Sequence, residues 1–339
     1  MLEYKTLIPN TFGVESYCDT LIEFRNVEEL LSYCPLVAEA RKDGRLLVIG
    51  RGSNLLPVGD FPGVVLRSRI MGKQVREEGD SVMLTCGSGE TVDDIIEWCV
   101  VNGYHGMENL SLIPGEVGAS AVQNIGAYGS EAKDVIASLR ALDIETGSVV
   151  EISNAQCRYS YRRSRFKEDW KNRYIILNVT YALSKTFRPV LDYGNIRTTL
   201  ECRGVKEITA RILRDIIIDI RRNKLPDWEK EGNAGSFFMN PKVSREKFLS
   251  IASEYPDIPH YTIDAEHEKI PAGWMVERCG WKGKTVGNAG VYDKQALVLV
   301  NRGGATGIEI QNLCRLIQKD VTDRFGIEIV PEVNIIGGN

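Results

Sequence analysis

The chain has 339 residues, which is more than one hydrophobic core normally organises, so we expect two or three domains. Hydrophobic residues make up 43% of the sequence, which is enough to form those cores. The formal net charge of -4 excludes the broadly positive surface with which proteins wrap nucleic acid or coat an anionic membrane. Any bound anion must therefore be held by local groups.

The amino-terminal residues 1–10 lack the apolar core of a signal peptide, and no stretch of the sequence has the length and apolarity of a transmembrane helix. The eight cysteines are scattered and form no C-x-x-C pair, so we predict neither a zinc site nor a dithiol redox motif. Reduced thiols are typical of a cytoplasmic protein, and the cytoplasm is the location that we expect.

Short apolar runs alternate with glycine turns in the first half of the chain. Residues 46–49, 63–66 and 82–87 are predicted to be strands, and the first of them leads directly into the glycine-rich residues 50–54. This pattern indicates a region built largely on β-sheet.

A helix is predicted after these strands, because Thr91 can cap it with Asp94 three residues further on and apolar residues then recur at helical spacing. Residues 139–144 and 149–152 predict a hairpin, and residues 174–183 predict a further strand. The first half of the chain is therefore expected to be α+β.

The composition changes near residue 207, where isoleucine and leucine recur at helical spacing up to the basic run 221–224. Cations are favoured at the end of a helix, so the default interpretation of this basic run is structural. Further helices are predicted around residues 247–254, 272–279 and 308–325, and strands at residues 296–300 and 327–336, the last with a proline break.

Ser236 is predicted to lie in a loop of small residues, 232–241. A serine nucleophile needs a general base, usually a histidine held by a carboxylate, and the three histidines of this chain lie in no motif of that kind. If Ser236 takes part in catalysis, the sequence favours donation of a proton over nucleophilic attack. A tight turn beside buried aromatic residues explains the same run equally well, and both interpretations remain open at this point.

Familiar nucleotide-binding signatures are incomplete. Residues 50–55 and 87–92 begin as G-x-G-x-x-G but lack the third glycine, and residues 283–285 match only the end of a P-loop. Two glycine-rich segments remain, at residues 50–54 and 113–129. Glycine and alanine allow backbone N–H groups to approach a pyrophosphate or a flat ring, so the two segments together predict a dinucleotide site, although either alone is more typical of a plain turn.

Residues 159–167 interleave arginine and lysine with aromatic residues. Guanidinium groups pair bidentately with carboxylates and phosphates, so this segment is a candidate clamp for an anionic ligand. A solvated basic face is an equally good interpretation.

Taken in order, these segments resemble the UDP-N-acetylenolpyruvoylglucosamine reductases, the flavoenzymes that complete the muramic acid precursor of peptidoglycan. The resemblance extends from residues 10–13 to residues 331–337, which is nearly the whole chain, and it includes the family variant with an extra tyrosine loop, represented here by Tyr193. The most specific motifs lie at residues 50–54, 113–115, 123–129, 161–166, 224–226, 232–241 and 331–333.

The resemblance implies an α+β fold with an FAD-binding domain of the vanillyl-alcohol oxidase (PCMH) type and a smaller α/β substrate-binding domain. Residues 1–205 are expected to form the FAD-binding region, in two α+β subdomains of about 1–66 and 67–205. Residues 206–325 are expected to form the substrate-binding domain, and residues 326–339 a C-terminal strand that returns to the FAD region and the active site. A monomer is expected.

The implied cofactors are FAD and NADPH, and the implied partner is a small-molecule substrate, UDP-N-acetylglucosamine enolpyruvate, with no nucleic acid, membrane or metal ion. Hydride passes from NADPH through FAD to the enolpyruvyl double bond, and the product is UDP-N-acetylmuramate. The implied catalytic residues are Arg162, Ser236 and Glu332. Arg162 stabilises the developing negative charge and Ser236 protonates the carbanionic carbon, while Glu332 either donates a hydrogen bond in its protonated form or orients a neighbour.

The implied FAD contacts are Gly50, Arg51, Gly52, Ser53, Asn54 and Leu55, followed by Ile113, Pro114, Gly115, Gly118, Ala119, Ser120, Gln123, Asn124, Gly126, Ala127 and Tyr128. The implied contacts to the UDP-sugar are Tyr161, Tyr193, Arg221, Lys224, Leu225, Asn240, Lys282 and Gln295. Two alternatives stay open: another FAD-dependent oxidase or dehydrogenase of the same superfamily, and a non-catalytic UDP-sugar sensor.

Overall fold

The structure is a computed structural model in which residues 1–338 are described. These residues group into two compact units. The first unit contains Met1–Thr6, Cys18–Arg51 and Pro62–Asn223, and the second contains Leu7–Tyr17, Gly52–Phe61 and the described chain from Lys224 onward. The main division therefore falls after residue 223, whereas we place a domain boundary after residue 205. The assignment of domains to FAD and to substrate stays a prediction.

An antiparallel sheet forms much of the first unit. Its strands have the spatial order Ser148–Ser153, Ile136–Asp143, Tyr174–Ser184, Ser81–Gly87 and Lys73–Glu78. A second sheet has the order Leu2–Leu7, Tyr17–Phe24, Phe61–Ser68 and Leu46–Ile49, the last two being parallel, and Gly126–Ala127 pairs with Ser130–Glu131 in a short hairpin. The strands and the hairpin that we predict in the first half of the chain are confirmed.

The helices of the first unit are Val27–Lys42, Val92–Val101, Val117–Gln123, Asn154–Cys157, Ile196–Cys202 and Ala210–Lys224, with 3-10 turns at Glu108–Leu110, Ala132–Asp134 and Arg165–Lys167. The helix predicted after Thr91 is confirmed, but its predicted cap is wrong because the Thr91 side chain makes no capping hydrogen bond. Instead, the first free N–H of the helix, that of Val92, donates to the carbonyl of Gly115.

The sequence does not predict the helix Val27–Lys42, because Pro35 lies inside it and proline normally interrupts a helix. Its start is nevertheless well defined, since the Asn26 side chain accepts a hydrogen bond from the Glu29 N–H at 2.7 Å.

Separate apolar clusters stabilise the first unit. One contains Leu84, Leu139 and Val179 of the antiparallel sheet, and another lies beneath the helix Val27–Lys42. A third joins the helix Ala210–Lys224 to residues 187–200 and also contacts Tyr128. This third cluster matters for function, because it places the segment that carries Tyr193 beside a predicted FAD contact.

The second unit has its own core, in which Phe237 and Phe238 are fully buried. Its antiparallel sheets have the orders Gly232–Ser236, Val298–Asn301, Ala289–Val291 and Thr285–Val286, and Lys242–Ser244, His267–Lys269 and Tyr261–Thr262. Its helices are Arg245–Glu254, Ala272–Arg278 and Gly307–Phe325, and the strand Asn334–Ile336 pairs in parallel with Leu55–Pro57.

Two expectations for the second unit need correction. Ser236 ends a strand and does not lie in a loop. The predicted strand 327–336 is regular only at Asn334–Ile336, because Pro331 has no N–H with which to continue a ladder and forms an isolated bridge with Phe238. The three predicted helices of this unit are confirmed.

Among the helices of the described residues, none combines the length and apolar character needed to cross a bilayer. Within residues 1–338, no group of histidine, cysteine, aspartate and glutamate side chains is arranged to hold a metal ion.

Candidate active site

Within the first unit, Gly50 of the first glycine-rich segment contacts residues 116–119 of the second. A Cβ atom built on Gly50 would lie 2.9 Å from a carboxylate oxygen of Glu116 and 3.1 Å from the Cβ of Ala119. A Cβ on Gly118 would lie 2.9 Å from the Cβ of Ser88. The end of the strand Leu46–Ile49 therefore packs directly on the helix Val117–Gln123, and only glycine allows so close an approach.

Glu116 lies beneath these segments, a position that sequence reasoning did not assign to the site. It is buried, and a guanidinium nitrogen of Arg67 lies 2.6 Å from its carboxylate. Arg69 lies 3.8 Å from the same carboxylate oxygen. The negative charge of Glu116 is thus compensated inside the unit, so it need not repel an anion bound nearby.

Asn124 and Tyr128 both have left-handed backbones, with φ values of 48° and 49°. The Asn124 side chain is buried and donates to the Glu131 carboxylate at 2.9 Å and to the Ser160 carbonyl at 3.0 Å. Its side-chain oxygen accepts a hydrogen bond from the Lys133 N–H at 3.0 Å. Because these contacts engage the whole amide, Asn124 can contact FAD through its backbone more readily than through its side chain.

The side chain of Arg162 lies against this segment. Its guanidinium donates to the carbonyls of Gly126 at 3.0 Å and Asn124 at 3.4 Å, and its own backbone is left-handed with a φ of 57°. Lys167 supports the arrangement, since its ammonium group donates to the Arg162 carbonyl at 3.1 Å and to the Gln123 side chain at 2.7 Å. The predicted catalytic arginine is therefore held directly against predicted FAD contacts.

The other arginines of the basic segment 159–167 point elsewhere. Arg163 pairs with Glu168 at 3.6 Å on an exposed surface. Arg165 pairs with Asp169 and stacks on Trp170 with 3.9 Å between the guanidinium carbon and the ring centroid. The clamp hypothesis therefore narrows from the whole segment to Arg162, whose guanidinium carbon lies 5.4 Å from the ring centroid of the half-buried Tyr161.

Arg221 also belongs to this region of the first unit. It donates to the Leu112 carbonyl at 3.3 Å and lies close enough to Tyr128 for the two groups to shift each other's pKa. Burial lowers the pKa of Arg221, and burial raises the pKa of Tyr128 against the opposing effect of the arginine. Tyr193 is exposed and lies close by, because a Cβ on Gly129 would be 3.2 Å from the Cβ of Tyr193.

Ser236 lies in the second unit, at the half-buried end of the strand Gly232–Ser236. The pairing with the strand Val298–Asn301 is interrupted between Asn233 and Ser236, and Gly235 in this bulge has a φ of 69°. The Asn233 side chain accepts a hydrogen bond from the Gly235 N–H at 2.9 Å. A bulge of this kind re-aims the side chain that follows it, here that of Ser236.

Glu332 lies beside Ser236 in the same unit. The N–H of Glu332 donates to the carbonyl of Phe237, the residue after the serine, at 2.7 Å. The Asn54 side chain donates to the Glu332 carbonyl at 3.3 Å, and the Asn334 N–H donates back to the Asn54 carbonyl at 3.1 Å. The second unit thus joins two predicted catalytic residues to the predicted FAD contact Asn54.

Gly52 fixes this part of the second unit. It has a φ of 74°, and a Cβ there would lie only 2.0 Å from the Pro9 carbonyl oxygen. Its own carbonyl accepts a hydrogen bond from the Thr11 N–H at 3.3 Å. Arg51 is exposed, whereas Leu55 is buried in the parallel pair with the C-terminal strand.

The side chains of Asn240 and Gln295 both contact the first turn of the helix Ala272–Arg278. The Asn240 side-chain oxygen accepts a hydrogen bond from the Ala272 N–H at 2.9 Å, so its Nδ2 is the group that could bind a ligand. A Cβ on Gly273 would lie 3.2 Å from the side-chain oxygen of Gln295. The structure therefore brings these two predicted UDP-sugar contacts together.

Lys282 does not join this pair through its ammonium group, which forms an ion pair with Glu277 at 2.9 Å. Lys224 is the exposed last residue of the helix Ala210–Lys224, and Leu225 follows it half-buried. Among the predicted UDP-sugar contacts of the second unit, Asn240 and Gln295 therefore lie together at one helix, whereas no contact of Lys224, Leu225 or Lys282 described here joins them to that pair.

The strand that carries Ser236 depends on Gly232, which gives a direct test. A Cβ on Gly232 would lie 2.1 Å from the Phe12 carbonyl oxygen, so Gly232→Ala should lower the free energy of unfolding by about 3 kcal/mol or more. The control is Gly13→Ala, where no heavy atom of the described chain lies within 4 Å of the Cβ position and only the φ of 64° opposes alanine. We expect Gly13→Ala to lower the free energy of unfolding by about 1 kcal/mol. Equal losses in denaturant unfolding would contradict the close approach at Gly232.

Comparisons with known proteins show the family to which the chain belongs. A model of the FAD binding domain matches residues 19–153, and a model of the UDP-N-acetylenolpyruvoylglucosamine reductase C-terminal domain matches residues 227–336. The UDP-N-acetylenolpyruvoylglucosamine reductase of Bacteroides fragilis is 48% identical over 335 residues, which cover 98% of this chain and 99% of the relative. The chain belongs to the UDP-N-acetylenolpyruvoylglucosamine reductase family.

Other reductases of this family are also similar to the chain. The reductase of the same name from Flavobacterium johnsoniae is 41% identical over 329 residues, covering 96% of each chain. The crystal structure of the reductase from Thermus caldophilus has the same fold, with a TM-score of 0.67 at 21% identity, and it covers 96% of this chain and 95% of that one. The resemblance, the α+β class and the FAD-binding domain that we predict from the sequence are confirmed.

Proposed function

We propose that this enzyme reduces UDP-N-acetylglucosamine enolpyruvate to UDP-N-acetylmuramate, with NADPH as the reductant and FAD as the cofactor, in peptidoglycan precursor synthesis. The observation that carries the proposal is the 48% identity to a reductase of this name over 98% of the chain. The contacts of Arg162, Ser236 and Glu332 support it.

The residues present suit FAD. Gly50 and Gly118 let the end of the strand Leu46–Ile49 and the helix Val117–Gln123 pack closely, and Ala119 is small, so the two glycine-rich segments could line one cofactor. Residues 113–128 would hold the cofactor from the first unit. Bound FAD accepts a hydride from NADPH and supplies one to the enolpyruvyl double bond.

Arg162 is the electrostatic group in the proposed mechanism. Its guanidinium is already oriented by the carbonyls of Asn124 and Gly126, so it can stabilise negative charge that develops on the substrate carboxylate without reorganising. Such preorganised charge acts on the transition state more than on the ground state.

Ser236 is the proposed proton donor. A hydroxyl is a weak acid, but the carbanion-like enolate left after hydride addition is a strong base, so the transfer requires no histidine. The Glu332 backbone is hydrogen-bonded to the residue after Ser236, and the proposed role of its carboxyl is to donate a hydrogen bond in its protonated form or to orient a neighbour.

The proposed UDP contacts predict a binding defect when they are changed. Lys224→Ala and Tyr193→Phe should each weaken substrate affinity by about tenfold or more, because hydrogen bonds to a charged diphosphate are lost. The turnover number at saturating substrate should change little, since neither group is assigned to the bond being reduced. Steady-state kinetics over a range of substrate concentrations measures both effects. A pure turnover defect with unchanged affinity would contradict these roles.

We also propose that the enzyme acts as a monomer in the cytoplasm. Light scattering of the purified protein tests the first point, and cell fractionation tests the second.

An anaerobic absorption spectrum tests the proposed function. It is recorded before NADPH, after NADPH, and after UDP-N-acetylglucosamine enolpyruvate. A flavin spectrum that bleaches with NADPH and returns with the enolpyruvyl substrate supports both halves of the reaction. Bleaching without return would indicate a different acceptor. A protein that binds the nucleotide but shows no flavin band after attempted FAD reconstitution would favour the sensor alternative, and oxidation of an alcohol or lactone without NADPH would favour an oxidase.

A further inference from the structure

Asn109 is a buried residue of the first unit to which the sequence assigns no role. It lies in the turn Glu108–Leu110 and is 4% exposed. Its side-chain nitrogen donates to the Tyr128 carbonyl at 2.7 Å and to the Val190 carbonyl at 2.9 Å. A primary amide has two N–H donors, so these two carbonyls use both.

The two carbonyls belong to segments that lie against each other. One is the Tyr128 turn, formed by Tyr128 and Gly129, and the other is the tyrosine loop, residues 190–195. A Cβ on Gly129 would lie 3.2 Å from the Cβ of Tyr193, and a Cβ on Gly194 would lie 3.5 Å from a ring carbon of Tyr128. Asn109 therefore joins the backbone of a proposed FAD contact to the backbone of the loop that carries a proposed substrate contact.

We propose that Asn109 is a positioning residue that holds the tyrosine loop on the Tyr128 turn and so places Tyr193 for the UDP-sugar. The role in substrate binding rests on the proposed function, but the hold on the loop does not. The loop is exposed at Asp192 and Tyr193, whereas the Asn109 amide is buried beneath it. One hydrogen bond from this buried side chain reaches the loop at Val190 and the other reaches the Tyr128 turn, so the side chain ties the loop to the turn.

The test is Asn109→Asp, which keeps the shape of the side chain but turns both donors into a carboxylate facing two carbonyl oxygens. The matched control is Asn154→Asp. The Asn154 amide also donates to two backbone carbonyls, those of Lys133 at 2.8 Å and Ile136 at 2.7 Å, but these lie outside the tyrosine loop. Asn109→Ser, which retains one hydroxyl donor, is a milder variant that serves if the aspartate variant does not fold.

The first readout is limited cleavage by chymotrypsin after Tyr193, located by mass spectrometry. We expect the rate of cleavage to rise about tenfold in the Asn109 variant relative to the Asn154 variant, as loss of two net hydrogen bonds predicts. The second readout is the KM for UDP-N-acetylglucosamine enolpyruvate, which should rise by a similar factor while kcat changes little.

A double-mutant cycle with Tyr193→Phe separates positioning from general destabilisation. If Asn109 acts through Tyr193, its effect on KM should be much smaller in the Tyr193→Phe background than in the wild-type enzyme. Additive effects, or equal cleavage in the Asn109 and Asn154 variants, would overturn the proposal. If the wild-type enzyme does not turn over this substrate, the proposed function fails, and the cleavage rates alone still decide whether Asn109 holds the loop.

Discussion

Ser236→Ala is expected to slow the reduction of the enolpyruvyl substrate by about 10²–10⁴-fold, the usual loss when a general acid is removed. The rate at which NADPH reduces the bound FAD should stay near that of the wild-type enzyme, because the serine is assigned to protonation of the substrate carbon and to no earlier step. Stopped-flow absorbance measures the two half-reactions separately, as bleaching of the flavin band by NADPH and as its return with substrate.

The local structure favours a clean result from this variant. Ser236 is half-buried at a strand end, and its pairing with Val298 uses backbone groups that alanine retains. Ser253→Ala, on the exposed face of the helix Arg245–Glu254, controls for loss of a serine in the same unit. Ser236→Cys should recover part of the rate, because a thiol also carries a transferable proton. An equal loss in both half-reactions would remove Ser236 from the role of proton donor.

Much of the secondary structure could be predicted because it follows from local periodicity. The strand Tyr174–Ser184 and the helix Gly307–Phe325 carry long apolar patterns, and the helix also has a capping box at Thr306 and Glu309. The helix Val27–Lys42 could not be predicted in the same way. Its apolar stripe is weak and Pro35 lies within it, so tertiary packing on a buried cluster overrides local preference.

The sequence likewise indicates some features of the candidate site and misses others. Small residues such as Gly50 and Gly118 predict close backbone approach to a cofactor, which stays a prediction, and in the structure they allow close packing within the protein. By contrast, the backbone hydrogen bond from Glu332 to Phe237 and the side-chain contacts of Asn109 join residues that are far apart in the chain. Hydrogen bonds between such distant residues leave no spacing pattern in a sequence, so a single sequence cannot reveal them.

The roles carried over from the family also depend on which atoms of a residue are available. Asn124 is an expected FAD contact, but its side chain is fully engaged with Glu131, Ser160 and Lys133. An asparagine at position 124 therefore stabilises the local turn, whether or not it also contacts the cofactor. Arg162 differs, because its guanidinium donates to the carbonyls of Gly126 and Asn124, and these hydrogen bonds orient its charge.

That orientation leads to the second large effect, which we expect from Arg162→Lys. A lysine keeps the positive charge, but its compact ammonium cannot reproduce the planar fork that spans the carbonyls of Gly126 and Asn124. The substrate-reduction rate at saturating substrate should fall by about 10²–10³-fold, as when one preorganised stabilising group is lost from a transition state. Flavin reduction by NADPH should be little changed.

Arg163→Lys provides the matched control for this loss. It makes the same substitution one residue further on, at a side chain that is 70% exposed and paired with Glu168. A surface pair of that kind contributes little, so this variant should behave as wild type in both half-reactions. If charge alone at position 162 were sufficient, Arg162→Lys would match the control, and the fixed geometry of the guanidinium would have no part in the reaction. A loss confined to Arg162→Lys and to the substrate half-reaction would instead mean that the planar guanidinium, which the two carbonyls orient, takes part in the reduction of the substrate.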